Sequence, residues 1–113
     1  MTDSFPVPPD PHGFAAQWLP TFEQSGGPSD DELQAFIADC YEHDFVVVYD
    51  WPEWRDQAEV LLETSGAMER TNVADLQRLL TLLIRQDGFI EGAHRYAVEQ
   101  GWFHAVLGRM RAI

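Results

Sequence analysis

The chain has no lysine and one cysteine, Cys40, among its 113 residues. A lone thiol excludes an internal disulfide and any structural zinc site assembled from several cysteines. No apolar run approaches the roughly 20 residues that a membrane span requires. The N-terminal residues have neither the basic start nor the apolar stretch of a signal peptide, so the expected compartment is the cytoplasm. No Gly-x-Gly-x-x-Gly motif or phosphate loop occurs, and Gly26-Gly27 is not followed by lysine, so nucleotide binding has no support.

Positive charge is scarce, and what there is lies late in the chain. From Met1 to Glu69 fifteen acidic residues face Arg55 alone, whereas from Arg70 onward six arginines face Asp75, Asp87, Glu91 and Glu99. A formal net charge of −12 argues against sequence-independent binding to nucleic acid or an anionic membrane, because phosphate neutralisation supplies most of that affinity. It suits a basic partner. At 113 residues, 45% of them hydrophobic, the chain is long enough for one domain with a real core and too short for two.

The expected architecture is all-α: a single compact domain of five to six short helices over 14–113, preceded by an extended proline-rich arm over 1–13. Met1 to His12 hold four of the seven prolines. Phe14, Trp18, Leu19 and Phe22 have helical spacing, with Pro20 expected to end or kink the helix. Ser29 with Glu32 forms a capping box ahead of a helix over about 30–42 that carries Leu33, Phe36, Ile37, Cys40 and Tyr41 on one face. Phe45-Val46-Val47-Val48-Tyr49 is β-prone but has no second run to pair with, so it reads as a buried extended connection or as the tail of that helix. Asp50, with Pro52 and Glu53, is placed to cap the next helix, whose apolar face is Trp54, Ala58, Leu61 and Leu62 and which stops near Ser65-Gly66. Asn72 or Thr71 starts the most clearly amphipathic helix, through Leu76, Leu79, Leu80, Leu83 and Ile84, broken at Asp87-Gly88. Two short helices follow, over about 90–100 and from Trp102 onward, separated at Gly101.

Two stretches carry a resemblance. The first is Phe45 to Trp54, with its Asp50-Trp51-Pro52-Glu53-Trp54 element. The second runs from Asp75-Leu76 through Leu80-Thr81 to Arg85-Gln86-Asp87-Gly88-Phe89-Ile90-Glu91-Gly92. With Gly101 and the closing Leu107-Gly108-Arg109-Met110, they resemble a family of small bacterial and archaeal proteins catalogued as a domain of unknown function, over roughly Asp31 to Arg109. Gly88 departs from the family pattern, which has arginine before Phe89. The resemblance implies a single helical domain and brings no activity with it.

Arg85, Asp87 and Glu91 form the densest charged cluster beside the apolar core. One reading is electrostatic, with arginine at a helix C-terminus, glutamate at a helix N-terminus and the two paired across the turn. The other is an anion or carboxylate site with Arg85 as the clamp. Glu91 and His94 have the Glu-x-x-His spacing of di-iron bundles, but one copy does not make such a site, and His94 is expected on a solvated face with Arg95 and Glu99. Cys40 and His43 are also three apart, yet Cys40 shares the face of Phe36 and Ile37 and reads as an inert buried thiol. His104, beside an aromatic pair, is expected partly buried. Trp51 and Trp54 are either core anchors or an exposed aromatic patch, with Trp51 the better candidate for a partial surface role. A helix-turn-helix reading of the C-terminal helices is disfavoured because Glu91 and Glu99 would lie on the recognition helix.

No constellation couples a nucleophile or metal to a base, and no cofactor or metal is expected. The leading functional reading is a non-enzymatic acidic module that contacts another protein. One alternative is an inhibitor whose carboxylates mimic a nucleic-acid backbone. Another is a small-molecule or anion-binding domain with a pocket near Arg85, Glu91 and Tyr96.

Overall fold

A computed structural model describes residues 10–88 and 90–113, so most of the expected proline-rich arm lies outside the described residues. Six helices follow in order: α1 Pro11–Glu23, α2 Asp30–Glu42, α3 Arg55–Glu63, α4 Val73–Arg85, α5 Ala93–Glu99 and α6 Trp102–Ala112. Short 3-10 turns cover Met68–Arg70 and Gln86–Gly88, and no strand occurs among the described residues.

The first helix starts at Pro11, before the expected boundary at residue 14. Asp10 caps it by accepting the Gly13 N–H at 2.9 Å, and Pro11 sits where a missing N–H carries no penalty. A Cβ at position 13 would come within 2.1 Å of the Asp10 carboxylate, so a larger residue there would oblige that side chain to shift. Pro20 neither ends the helix nor stops its last turn forming, since the Gln24 N–H still bonds the Pro20 carbonyl. Ala16 and Pro20 are both exposed, which puts the hydrogen bond that proline deletes on the solvent side. α1 lies antiparallel on α6. His12 bonds the Arg111 carbonyl at one end (2.7 Å), and His104 meets Glu23 at the other (3.2 Å).

The expected capping box of Ser29 with Glu32 forms on α2, and α4, started by Asn72, carries a second one with Asp75 that was not expected. The Glu32 carboxyl is held below its usual range, first by the Ser29 backbone N–H and then by the Gln24 amide. At its far end α2 closes in a Schellman motif, in which Phe45 N–H bonds the Cys40 carbonyl and Asp44 takes a left-handed φ of 63°. Asp50 does not cap α3. A turn over 51–54 intervenes, α3 starts at Arg55, and its cap residue Trp54 makes no side-chain cap bond. The reason is Trp51, which is only 7% exposed; burying the indole sets the backbone of this stretch, and the gain from that burial exceeds the roughly 1 kcal/mol of a cap.

α4 is more than amphipathic. Leu76, Gln77 and every residue from Leu79 to Ile84 are buried, so the helix is enclosed by its neighbours. Around it an aromatic cluster centres on Phe36, fully buried, with Trp18, Phe22 and Phe103 in edge-on contact at centroid distances of 5.4, 4.8 and 5.5 Å.

The β-prone run is an extended connection pinned to α4. Phe45 and Val47 point into the core, while Val48 is 96% exposed. In place of a partner strand, α4 supplies the hydrogen bonds. Val47 N–H donates to Thr81 Oγ1 (2.8 Å), Gln77 Nε2 to the Asp44 carbonyl (2.8 Å) and the Tyr49 hydroxyl to the Arg78 carbonyl (2.7 Å). Burial pushes the Tyr49 phenol well above its usual range. Replacing Thr81 by valine keeps the shape and strands the buried Val47 N–H, so urea unfolding should show a loss of about 1–3 kcal/mol. Serine at the same position should lose less than valine, because it restores the acceptor.

Candidate functional site

The surface opens where the chain turns from α4 into α5. Gly92 takes a left-handed φ of 79° and offers no cap side chain, so α5 begins at Ala93, three residues later than periodicity suggests. Its cap comes from farther away. Asp87 Oδ1 accepts the His94 N–H at 3.2 Å, and the His94 ring donates from Nε2 to the Ile84 carbonyl at 2.7 Å, which satisfies one of the open carbonyls at the end of α4. His94 Nδ1 lies 3.8 Å from Asp87 Oδ2. His94 is thus turned inward as a joint between α4 and α5, not on the solvated face expected of it. Arg95 is engaged as well, with the Pro28 carbonyl and Asp30.

The Arg85, Asp87 and Glu91 cluster therefore divides. Asp87 is structural, and Arg85 and Glu91 are exposed. Among the described residues no carboxylate lies within 4.0 Å of the Arg85 guanidinium, so the expected pairing with Glu91 is absent. Glu91 belongs instead to an open cleft of about 380 Å³, together with Gln86, Ile90, Gly92, Ala93, Tyr96 and Trp102. Arg85 does not line it. A second depression of about 120 Å³ adjoins the first, sharing Gln86 and Trp102, and is bounded by Arg55, Ala58, Glu59, Leu62, Glu63, Leu82 and Leu83.

Together they form one groove with Trp102 in its middle. Ile90 and Tyr96, which line the larger depression, are 49% and 52% exposed. Tyr96 meets Trp102 edge-on at 5.4 Å, which holds both rings in place. The lining carries three carboxylates, Glu59, Glu63 and Glu91, against Arg55. Such an arrangement can seat apolar side chains and attract cations at its rim. The sequence placed Tyr96 near a possible pocket and started the last helix at Trp102, but it gave neither Trp102 nor Ile90 a role in a site. Two aromatic residues six apart across Gly101 were the available signal.

The tryptophans of the Asp50 to Trp54 element lie in the core region. Trp51 is buried and Trp54 half-buried against Tyr49, the reverse of the expected order of exposure. Cys40 is fully buried, and burial pushes its thiol well up, as an inert core cysteine requires. His104 is more exposed than expected.

At the C-terminus of α2, Asp39, Glu42 and His43 bring one ligand-type atom each within 4.8 Å of the others. Their i, i+3, i+4 spacing was readable in the sequence. The contacts present there are structural. Asp39 Oδ2 accepts the Trp18 indole N–H (2.8 Å), and His43 Nδ1 lies 3.0 Å from the Asp39 carbonyl and 3.1 Å from Asp39 Oδ1. The Asp39 backbone carbonyl, helped by the Asp39 and Glu42 charges, holds the His43 imidazole above its usual range.

The chain belongs to the family of unknown function DUF6508, which matches residues 19–113. No curated protein and no solved structure matches it. The matched span starts within α1 and contains the whole groove. It leaves out Phe14 and Ala15, which are nevertheless part of the core.

Arg85→Gln should leave stability within about 0.5 kcal/mol of wild type, whereas Asp87→Ala should lose about 1 kcal/mol with the α5 cap; chemical denaturation of both variants checks this. A pH series tests His43. Its folded-state pKa is raised, so its contribution is fully present below about pH 6.5 and is lost as pH rises through the folded value. Between pH 8 and 6 the wild type should gain melting temperature relative to His43→Gln. Parallel curves for the two proteins would show that the Asp39 contact contributes nothing.

Proposed function

We propose that this chain is a small acidic helical module that acts in the cytoplasm by contacting another protein. The observation that carries the reading is the groove around Trp102. Ile90 and Tyr96 stand exposed beside an indole whose ring is fixed by an edge-on contact, and carboxylates border them. Rigid aromatic surface inside a polar rim is the usual anatomy of a protein contact. A monomeric domain gains nothing in stability by leaving that surface in water.

The alternatives draw less support. A phosphate mimic presents a row of free carboxylates, and in the acidic half Asp10, Glu32 and Asp39 are instead tied to caps and an inter-helix bond. An anion site clamped by Arg85 needs enclosure, and Arg85 is exposed and outside the groove.

Affinity purification of tagged wild type beside the Ile90→Asp/Tyr96→Asp double variant tests the reading. Both positions are about half exposed, so the variant should keep its melting temperature within a few degrees while losing the partner that wild type recovers. Recovery of the same partner by a folded double variant would move the contact elsewhere on the surface.

A further inference from the structure

We infer, building on the protein-contact reading, that the occupant of the Trp102 groove is a basic amphipathic helix that seats apolar side chains on either side of the indole and turns arginine or lysine toward Glu59, Glu63 and Glu91. Three features of the groove select this occupant.

The floor comes first. Buried Leu82 and Leu83 and half-buried Leu62 underlie the smaller depression, and Ile90, Ala93 and Tyr96 line the larger. Two apolar hollows separated by one aromatic ridge match side chains projecting from successive turns of a helix, which recur at i and i+3 or i+4 on one face. No strand occurs among the described residues, so the groove has no sheet edge to which an extended segment could add.

The rim comes second. Glu59 and Glu63 are one helical turn apart on α3 and both border the smaller depression, while Glu91 borders the larger, so carboxylates flank the groove at both ends. Arg55 is the one cation in the lining. A second copy of this chain is a poor occupant, because two bodies of net charge −12 would set the same carboxylates against one another. Nucleic acid is disfavoured by the same sign of charge. A cationic polypeptide gains from both floor and rim.

The ridge comes third. The Trp102 indole N–H donates to no described residue. Among the described residues it has no partner, so a polar group of the occupant can accept from it, which is how a partly buried tryptophan serves a protein contact.

The test is fluorescence anisotropy of a labelled sixteen-residue (~24 Å as a helix) leucine/arginine peptide designed as an amphipathic helix. Two controls accompany it: a peptide of the same composition with its leucines dispersed round the helix, and a leucine/glutamate helix with the same apolar face. The amphipathic basic peptide should bind, and binding should weaken as salt is raised. It should weaken at least about tenfold for Tyr96→Asp, and about three- to tenfold for the triple Glu59→Gln/Glu63→Gln/Glu91→Gln variant. The melting temperatures of both variants confirm that they fold. Equal binding by the dispersed peptide would overturn the inference, since charge alone would then suffice. No binding by the amphipathic basic peptide would overturn it too. If the leucine/glutamate helix binds as tightly as the basic one and Tyr96→Asp still abolishes it, the groove is a protein-contact surface and only the basic character of the partner is refuted. A cellular partner kept by the folded Ile90→Asp/Tyr96→Asp variant would instead refute the protein-contact reading of this groove.

Discussion

Enclosing α4 is the constraint on which the rest of the structure depends. A helix buried on one face needs one neighbour, but a helix buried from Leu79 through Ile84 without interruption needs cover on all sides. α6 and α5 pack along it, the extended run from Phe45 to Tyr49 crosses it, and α1 and α2 close the aromatic cluster beyond. Every polar group that α4 carries inward must then find a partner, since an unpaired buried polar group costs about 1–3 kcal/mol. Thr81 and Gln77 find theirs in the backbone of the crossing connection, and no buried polar side-chain atom is left unsatisfied among the described residues. The two ends of α4 are treated the same way. Asn72 and Asp75 close the N-terminus, the Arg109 guanidinium donates twice to the buried Thr71 carbonyl just before it, and His94 closes the C-terminus.

This arrangement also accounts for where the surface stays open. α5 is only seven residues long, and the turn that leads into it is occupied with satisfying the end of α4 through Asp87 and His94. The apolar residues on either side of that turn, Ile90 and Tyr96, have no further element to cover them, and Trp102 is left as the ridge between two hollows. The groove is a by-product of how α4 is capped, and it becomes a candidate contact surface because its rim is acidic and two aromatic rings meet edge-on within it. The histidines show the same economy. His12 and His94 each bond a carbonyl in the last turn of a helix, where backbone acceptors commonly lack intrahelical partners, and the His43 ring adds a second contact to the Asp39 carbonyl that its own N–H already bonds.

Local chemistry was legible wherever a feature depends on neighbours within four residues. The Ser29 capping box, the start of α4 at Asn72, the stop at Gly101 and the inert burial of Cys40 could be read from the chain alone, because cap and helix face are local properties. Asp50 shows where that reading ends: its cap was locally sound, and burial of Trp51 outweighed it. Pro20 shows the opposite case, in which a residue expected to end a helix is accommodated because its missing bond faces water. His94 was misplaced because its partner is a backbone carbonyl ten residues away, and periodicity carries no information about carbonyls. Arg85 and Glu91 were expected to meet across a turn, but the left-handed Gly92 and the Asp87 cap send the chain on a course that leaves the pair unjoined.

By itself the sequence determined that the protein is helical, where most of the helices begin and end, and which function classes its charge disfavours. These follow from apolar spacing, capping side chains and net charge, all of which act locally or sum over the chain. Only the tertiary structure decided that α4 is enclosed, that a β-prone run would bond to a helix instead of a strand, and that Trp51 would be hidden while Ile90, Tyr96 and Trp102 would border a groove. Those outcomes depend on which surfaces meet across tens of residues. Burial and hydrogen-bond satisfaction there are worth more than any local preference, so they prevail wherever the two conflict.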